Sequence, residues 1–135
     1  MEFIVRGAPR SVNASPHSRN LWRDRVAEAA RNQLEPNHLL IEEEISIVVL
    51  YFYRGQGSLD VDNIGKPLID ALKGVVFRDD VQISELLVRK TSVAESLSLT
   101  GASPILTEAF ERMSQQRSDF VYIRVDPAPD HSRSP

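Results

Sequence analysis

Apolar positions recur at two spacings along the chain, and the spacing separates strands from helices. Glu2 to Arg6 alternates about Phe3 and Val5 and predicts a short strand. Gly7 to Arg19 carries Pro9, Asn13 and Pro16 among serines, so its turn chemistry predicts a loop. From Asn20 to Leu34, Trp22, Val26, Ala29, Ala30 and Gln33 follow a spacing of three and four, with Arg23 and Arg31 elsewhere on the wheel. This predicts a helix that Pro36 stops. Ile45 to Tyr53 is β-branched and aromatic, apolar on both faces from Ile47 onward, the pattern of a central strand buried on two sides. Gly55 to Ser58 reads as a loop. A helix falls between Asn63 and Lys73, with Ile64, Leu68, Ala71 and Leu72 on one face and Gly74 as its C-cap. Leu86 to Val93 predicts a strand, Pro104 to Gln115 a helix with proline in its first turn, and Phe120 to Val125 the last strand. The order predicts an α+β fold, a single compact domain in which one mixed β-sheet packs with helices. The domain is expected over residues 1–126, with a disordered tail over 127–135.

Composition narrows the class. The chain has 135 residues, 41% hydrophobic and 26% charged, ordinary values for one globular domain. Its longest unbroken apolar run, Ile47 to Tyr53, falls far short of the ~20 residues that span a bilayer. No signal peptide is visible after Met1-Glu2, and cysteine is absent. That excludes disulfides, thiolate metal sites and cysteine nucleophiles, and a cytoplasmic protein with no membrane partner is expected. The net charge is −3, against a general polyanion binder. The charge is uneven, however: six arginines face three carboxylates up to Leu34, so that segment carries +3 and the rest −6.

The acidic remainder holds the candidate chemistry. Asp60, Asp62, Asp70, Asp79 and Asp80 flank the apolar helix within about two dozen residues. Asp60 and Asp62, two apart, share a face in an extended segment. Such hard oxygen ligands suit Mg²⁺ or Mn²⁺. Asp62, Lys66 and Asp70 step by four and form a polar stripe on a helix. Asp79-Asp80 follows a short apolar run and is expected to return to the same edge of the sheet. Spacing alone serves a second explanation equally well: a helix cap, an exposed ion-pair ladder and an Asp-rich turn. Pro67 would delete an early helical hydrogen bond, so the helix is expected to start near Lys66 or to have an irregular first turn.

The run Asp60-x-Asp62-Asn63-x-x-Lys66-x-x-x-Asp70-Ala71-Leu72, followed by Asp79-Asp80-x-Gln82-Ile83, resembles the signature of the RusA-type Holliday junction resolvases. The detailed match covers Asp60 to Ile83. The resemblance implies a small dimeric Mg²⁺-dependent endonuclease, with Mn²⁺ as a substitute, acting on branched DNA such as four-way junctions. It implies that Asp60, Asp62 and Asp80 bind metal and are catalytic, and that Lys66 is the essential lysine near the phosphate. Asn63, Asp70 and Asp79 match the pattern in supporting positions. Some members carry a basic run before the first aspartate. Here Arg54 is the one arginine in Arg54-Gly55-Gln56-Gly57-Ser58-Leu59. The alternative is a catalytically weak or inactive relative that binds nucleic acid or protein.

The remaining residues are weighed individually. Arg10, His17 and Arg19 lie where the family has a DNA-approaching loop, and together with Arg54 are candidate phosphate contacts; a solvated polar loop explains them equally. Trp22 is expected in the core rather than stacked on a base. Tyr51, Phe52 and Tyr53 are expected in core and sheet, and Glu42-Glu43-Glu44 at a solvated strand entry.

Overall fold

The computed structural model describes residues 1–10, 13–55, 59–93 and 101–129. Four strands, β1 (Glu2–Arg6), β2 (Ile45–Tyr53), β3 (Ile83–Ser92) and β4 (Phe120–Pro127), alternate with three helices, α1 (Pro16–Arg31), α2 (Asp62–Leu72) and α3 (Pro104–Gln116). They form one mixed sheet in the order β1-β4-β2-β3. β4 is antiparallel to both β1 and β2, while β2 and β3 are parallel. The α+β architecture with one mixed sheet is therefore the observed one.

Side-chain alternation assigns the two faces. Phe3, Val5, Ile47, Val49 and Ile123 turn to one face, where Trp22 and Val26 of α1 and Ile64 and Leu68 of α2 complete the main core. Each of these is at most 3% exposed. On the other face, Phe52, Phe120 and Tyr122 meet Ala109 and Met113 of α3 in a smaller core. There Phe52 packs edge-on against Phe110 with ring centroids 4.7 Å apart. α3 covers only part of this face, so Val48 and Leu50 remain half-buried. Trp22 is core, as its helical spacing implies.

Boundaries differ from the sequence reading where capping decides them. α1 begins at Pro16 rather than Asn20, because the Ser15 hydroxyl accepts from the Ser18 N–H (3.2 Å) and Pro16 fits the first turn. It ends at Arg31, before Leu34. β3 begins at Ile83, because a parallel partner opposite Ile45 extends it backward. β4 runs to Pro127, opposite Ile45, and the Ala128 N–H reaches the Glu44 carbonyl at 3.0 Å. The chain is thus paired two residues past the expected strand end. Residues 130–135 of the expected tail and 56–58 of the expected loop lie outside the described residues.

Candidate active site

The site is organised by α2, the crossover between two parallel strands. Its start is irregular. The Asn63 and Ile64 N–H groups bond to the Asp60 and Val61 carbonyls, three residues back, at 3.0 and 3.2 Å. That is the tighter 3₁₀ pattern. Pro67 stays inside the helix and brings no N–H for the Asn63 carbonyl. The irregular first turn expected from Pro67 is present, and the helix does not wait for Lys66 to begin. Val61 occupies the N-cap without a side-chain hydrogen bond, so Asp60 and Asp62 are not spent on capping; Val61 itself lies in the α region, so the extended segment expected to put the two carboxylates on one face does not form. Both are exposed, and among the described residues no hydrogen bond or ion pair engages either carboxylate. Lys66 lies one turn on and pairs loosely with Asp70 at 3.8 Å, both well exposed.

α2 can lie close to the sheet because of Gly65. A Cβ there would stand 3.2 Å from a methyl of Val88 and 3.4 Å from one of Leu86. Any larger side chain would lift the helix, and with it Asp62 and Lys66, off β3. Leu59, just before the site, is held by the Lys90 ammonium, which donates to its carbonyl at 3.0 Å.

Asp79 and Asp80 sit at the other end of α2. A parallel strand must start at the edge where its partner started. The residues leading into β3 therefore lie beside the beginning of β2, across the sheet from Asp60 and Asp62. The expected return to the same edge does not occur. The eleven-residue helix alone separates the two ends by roughly 15 Å. Here the acids are engaged: Lys73 approaches Asp79 at 3.5 Å and Asp80 at 3.9 Å. The Asp79 carboxyl is held below the usual carboxylate range, first by its hydrogen bond with Asp80 and then by the Lys73 ammonium. Gln82 fixes the turn. Its Oε1 accepts from the Arg78 and Asp79 N–H groups at 2.9 and 2.7 Å, and its Nε2 donates to the Ile41 and Glu43 carbonyls at 2.8 and 3.0 Å.

The candidate phosphate contacts gather at the Asp60 end. β1 runs antiparallel to β4, and β4 to β2, so the end of β1, the end of β2 and the start of β4 share one edge. Arg10 follows β1, and His17 and Arg19 open α1; Arg10 and His17 are exposed and Arg19 is half-buried. Arg54 follows β2, and it is not a free arm. Its N–H donates to Asp119 at 3.0 Å and its guanidinium to the Met113 carbonyl at 3.3 Å. Asp119 also accepts from the Tyr51 hydroxyl at 2.8 Å; burial first, and then this bond, pushes that phenol well above its ordinary pKa. Glu42, Glu43 and Glu44 are exposed at the opposite edge, a solvated strand entry as expected.

A divalent cation fits this chain only in part. Asp60 and Asp62 offer exposed, unengaged hard oxygens. Among the described residues, however, no three Asp, Glu or His side chains come together to hold one ion. The three-aspartate set is split along α2, and one chain does not assemble it. Lys73, Gln82, Gly65 and Asp119 are the residues that the motif reading gave no role. Lys73 continues the Lys66–Asp70 side of the helix, which was its one visible signal; the other three depend on contacts distant in sequence.

A crossover helix with two unengaged carboxylates at its start and a lysine one turn on, at the sheet edge that also bears arginines, is an arrangement suited to phosphodiesters. The model of the endodeoxyribonuclease RusA family matches residues 6–96, about two thirds of the chain, and spans α2 with the aspartates at both of its ends and the candidate phosphate contacts. The chain belongs to that family, for which Holliday junction endonuclease activity is the family-level function. No curated protein matches the chain. No helix among the described residues is long and apolar enough to cross a membrane.

Proposed function

We propose that the protein is a Mg²⁺-dependent, structure-selective endodeoxyribonuclease that cuts four-way or related branched DNA by phosphodiester hydrolysis, and that it works as a homodimer. The observation that carries this reading is the unengaged Asp60–Asp62 pair with Lys66 one turn away, inside the family-matched span. Asp60, Asp62 and Asp80 are the residues to hold the ion, which when bound supplies charge neutralisation at the scissile phosphate and acidity to a water. Because α2 separates them, the set becomes complete when Asp80 comes from a second subunit. Lys66 places a compact positive charge beside the phosphate, worth most where charge develops in the transition state. Arg10, His17 and Arg19 hold the backbone at the same edge, and Arg54 stiffens that edge through Asp119. Asn63, Asp70 and Asp79 support the helix start, Lys66 and the Lys73 turn respectively.

Mixing subunits tests this reading. Asp62→Asn and Asp80→Asn homodimers should each fail to cut a synthetic four-way junction in Mg²⁺. Mixed, they should regain nicking, since half of the composite sites in a heterodimer would be intact. Wild-type cutting by either homodimer would refute the metal assignment. A second reading, a junction binder without catalysis, is favoured by the split of the carboxylates within one chain. Junction binding by the wild type with no cutting in Mg²⁺ or Mn²⁺ would select it.

A further inference from the structure

β3 lies beneath α2, and one row of its side chains meets the helix. Side chains alternate along a strand, so Leu86, Val88 and Lys90 share a face. They stand opposite Ile47, Val49 and Tyr51 of β2, all three in the main core. Leu86 and Val88 are the side chains that Gly65 approaches. Apolar residues suit such a row, yet its third place is taken by a half-buried lysine. A charge partly withdrawn from water is costly unless it is paired. The Lys90 ammonium meets the Leu59 carbonyl at 3.0 Å, a bond that spans 31 residues of sequence. Leu59 also packs against the main core, and Asp60 follows directly. The next two carbonyls, of Asp60 and Val61, accept from the Asn63 and Ile64 N–H groups. Three successive carbonyls are thus held, the first from the sheet and the others from within the helix start. With no side-chain cap at Val61, Lys90 is a polar tie between the sheet and this helix start.

We propose that Lys90 is a positioning residue: by holding the Leu59 carbonyl it sets the backbone that carries Asp60 and Asp62, and with it the affinity of that end for a divalent cation. The proposal rests on the nuclease reading above and deepens it. Two effects of the lysine oppose each other. Its charge repels a cation arriving at Asp60, whereas its hydrogen bond keeps the carboxylates where a cation needs them. The charge acts at a distance and is screened at this exposed end. The hydrogen bond is short, charge-assisted and directional. Groups that orient metal ligands without touching the metal are worth about 10–100-fold in affinity. Positioning therefore outweighs repulsion, and removing the lysine should weaken cation binding although it removes a positive charge.

Amide hydrogen exchange on the full chain, free of metal, tests the tie itself. Lys90→Met keeps a long stem and removes the donor and the charge. It should speed exchange at Asn63 and Ile64 about tenfold and leave Val49 and Ile123, in the central strands, within about twofold of wild type. Lys90→Arg, which can still donate to one carbonyl, should restore the protection. Titration with Mn²⁺ alone, followed by electron paramagnetic resonance, reads the consequence. Lys90→Met should bind Mn²⁺ about tenfold more weakly, and Lys90→Arg within about threefold of wild type. Junction affinity without a cation should not change, and cutting lost by Lys90→Met at low Mg²⁺ should return at high Mg²⁺. Unchanged exchange at Asn63 and Ile64, tighter Mn²⁺ binding by Lys90→Met, or a wild type that holds no Mn²⁺ would each overturn the proposal. So would an acceleration as large at Val49 and Ile123, which would make Lys90 a general stabiliser of the fold. The nuclease reading fails separately: a wild type that holds Mn²⁺ but cuts no junction sinks the activity, while exchange and Mn²⁺ binding still decide the role of Lys90.

Discussion

The two ends of α2 carry the same chemistry, paired aspartates, in opposite states. At the Asp60–Asp62 end the carboxylates are exposed, free of described partners and preceded by a capping position that does not use them. At the Asp79–Asp80 end, Lys73 supplies a counter-charge and Gln82 ties the turn to the strand entry at Ile41 and Glu43. The first end thus presents uncompensated negative charge to an incoming cation, and the second is already compensated. The lesson is that a sequence cluster of aspartates need not be a spatial one. A parallel crossover carries its two ends to opposite edges of the sheet, however short the sequence between them.

Substitutions at the two ends should therefore behave differently. The largest effect is expected at the open end. Asp62→Asn should lower junction cleavage by two to three orders of magnitude, about the scale of removing one preorganised electrostatic contact. Its melting temperature should barely move, since no described contact is lost; a marked drop would mean that the carboxylate is structural. Lys66→Ala comes next. Single-turnover cutting should fall about a hundredfold while junction affinity changes only a few-fold, and equal losses would make Lys66 a positioning residue instead.

At the closed end the balance reverses. Gln82→Ala removes four hydrogen bonds from a half-buried turn and should cost about 1–3 kcal/mol in urea unfolding. Unchanged stability would show that the turn holds without it. Gly65→Val, midway, should destabilise by about 1–3 kcal/mol by forcing α2 off Val88 and Leu86. It should also lower cleavage, because Asp62 and Lys66 move with the helix.

The smallest effect is confined to alkaline pH. The folded pKa of Tyr51 is raised above its ordinary 10.0 by burial and by Asp119. A raised pKa means that the neutral phenol is favoured in the fold. Its contribution is thus complete below about pH 10 and is lost as pH rises toward the folded value. The melting temperature of wild type should fall faster above pH 10 than that of Tyr51→Phe. Parallel curves would remove Tyr51 from the edge that carries Arg54.

Much of this was legible in the chain because local patterns carry it. The two-sided apolar run of Ile45 to Tyr53 marks an interior strand, and it lies between β4 and β3. The three-four spacing of Trp22 and Val26 marks a buried helix face, and both are buried. Asp60, Asp62, Lys66 and Pro67 announced an unusual helix start, and its first turn is 3₁₀ in pattern. Those features depend on residues within one or two turns of each other, where side-chain size, capping and proline geometry act directly. What only the tertiary structure decided is pairing at a distance. Nothing in Ile83 to Ser92 states whether it runs with or against Ile45 to Tyr53, because strand direction follows from how α2 packs across the sheet. That one choice sends Asp80 to the far edge, gives Lys73 and Gln82 their partners, and places β3 last in the order of the described strands.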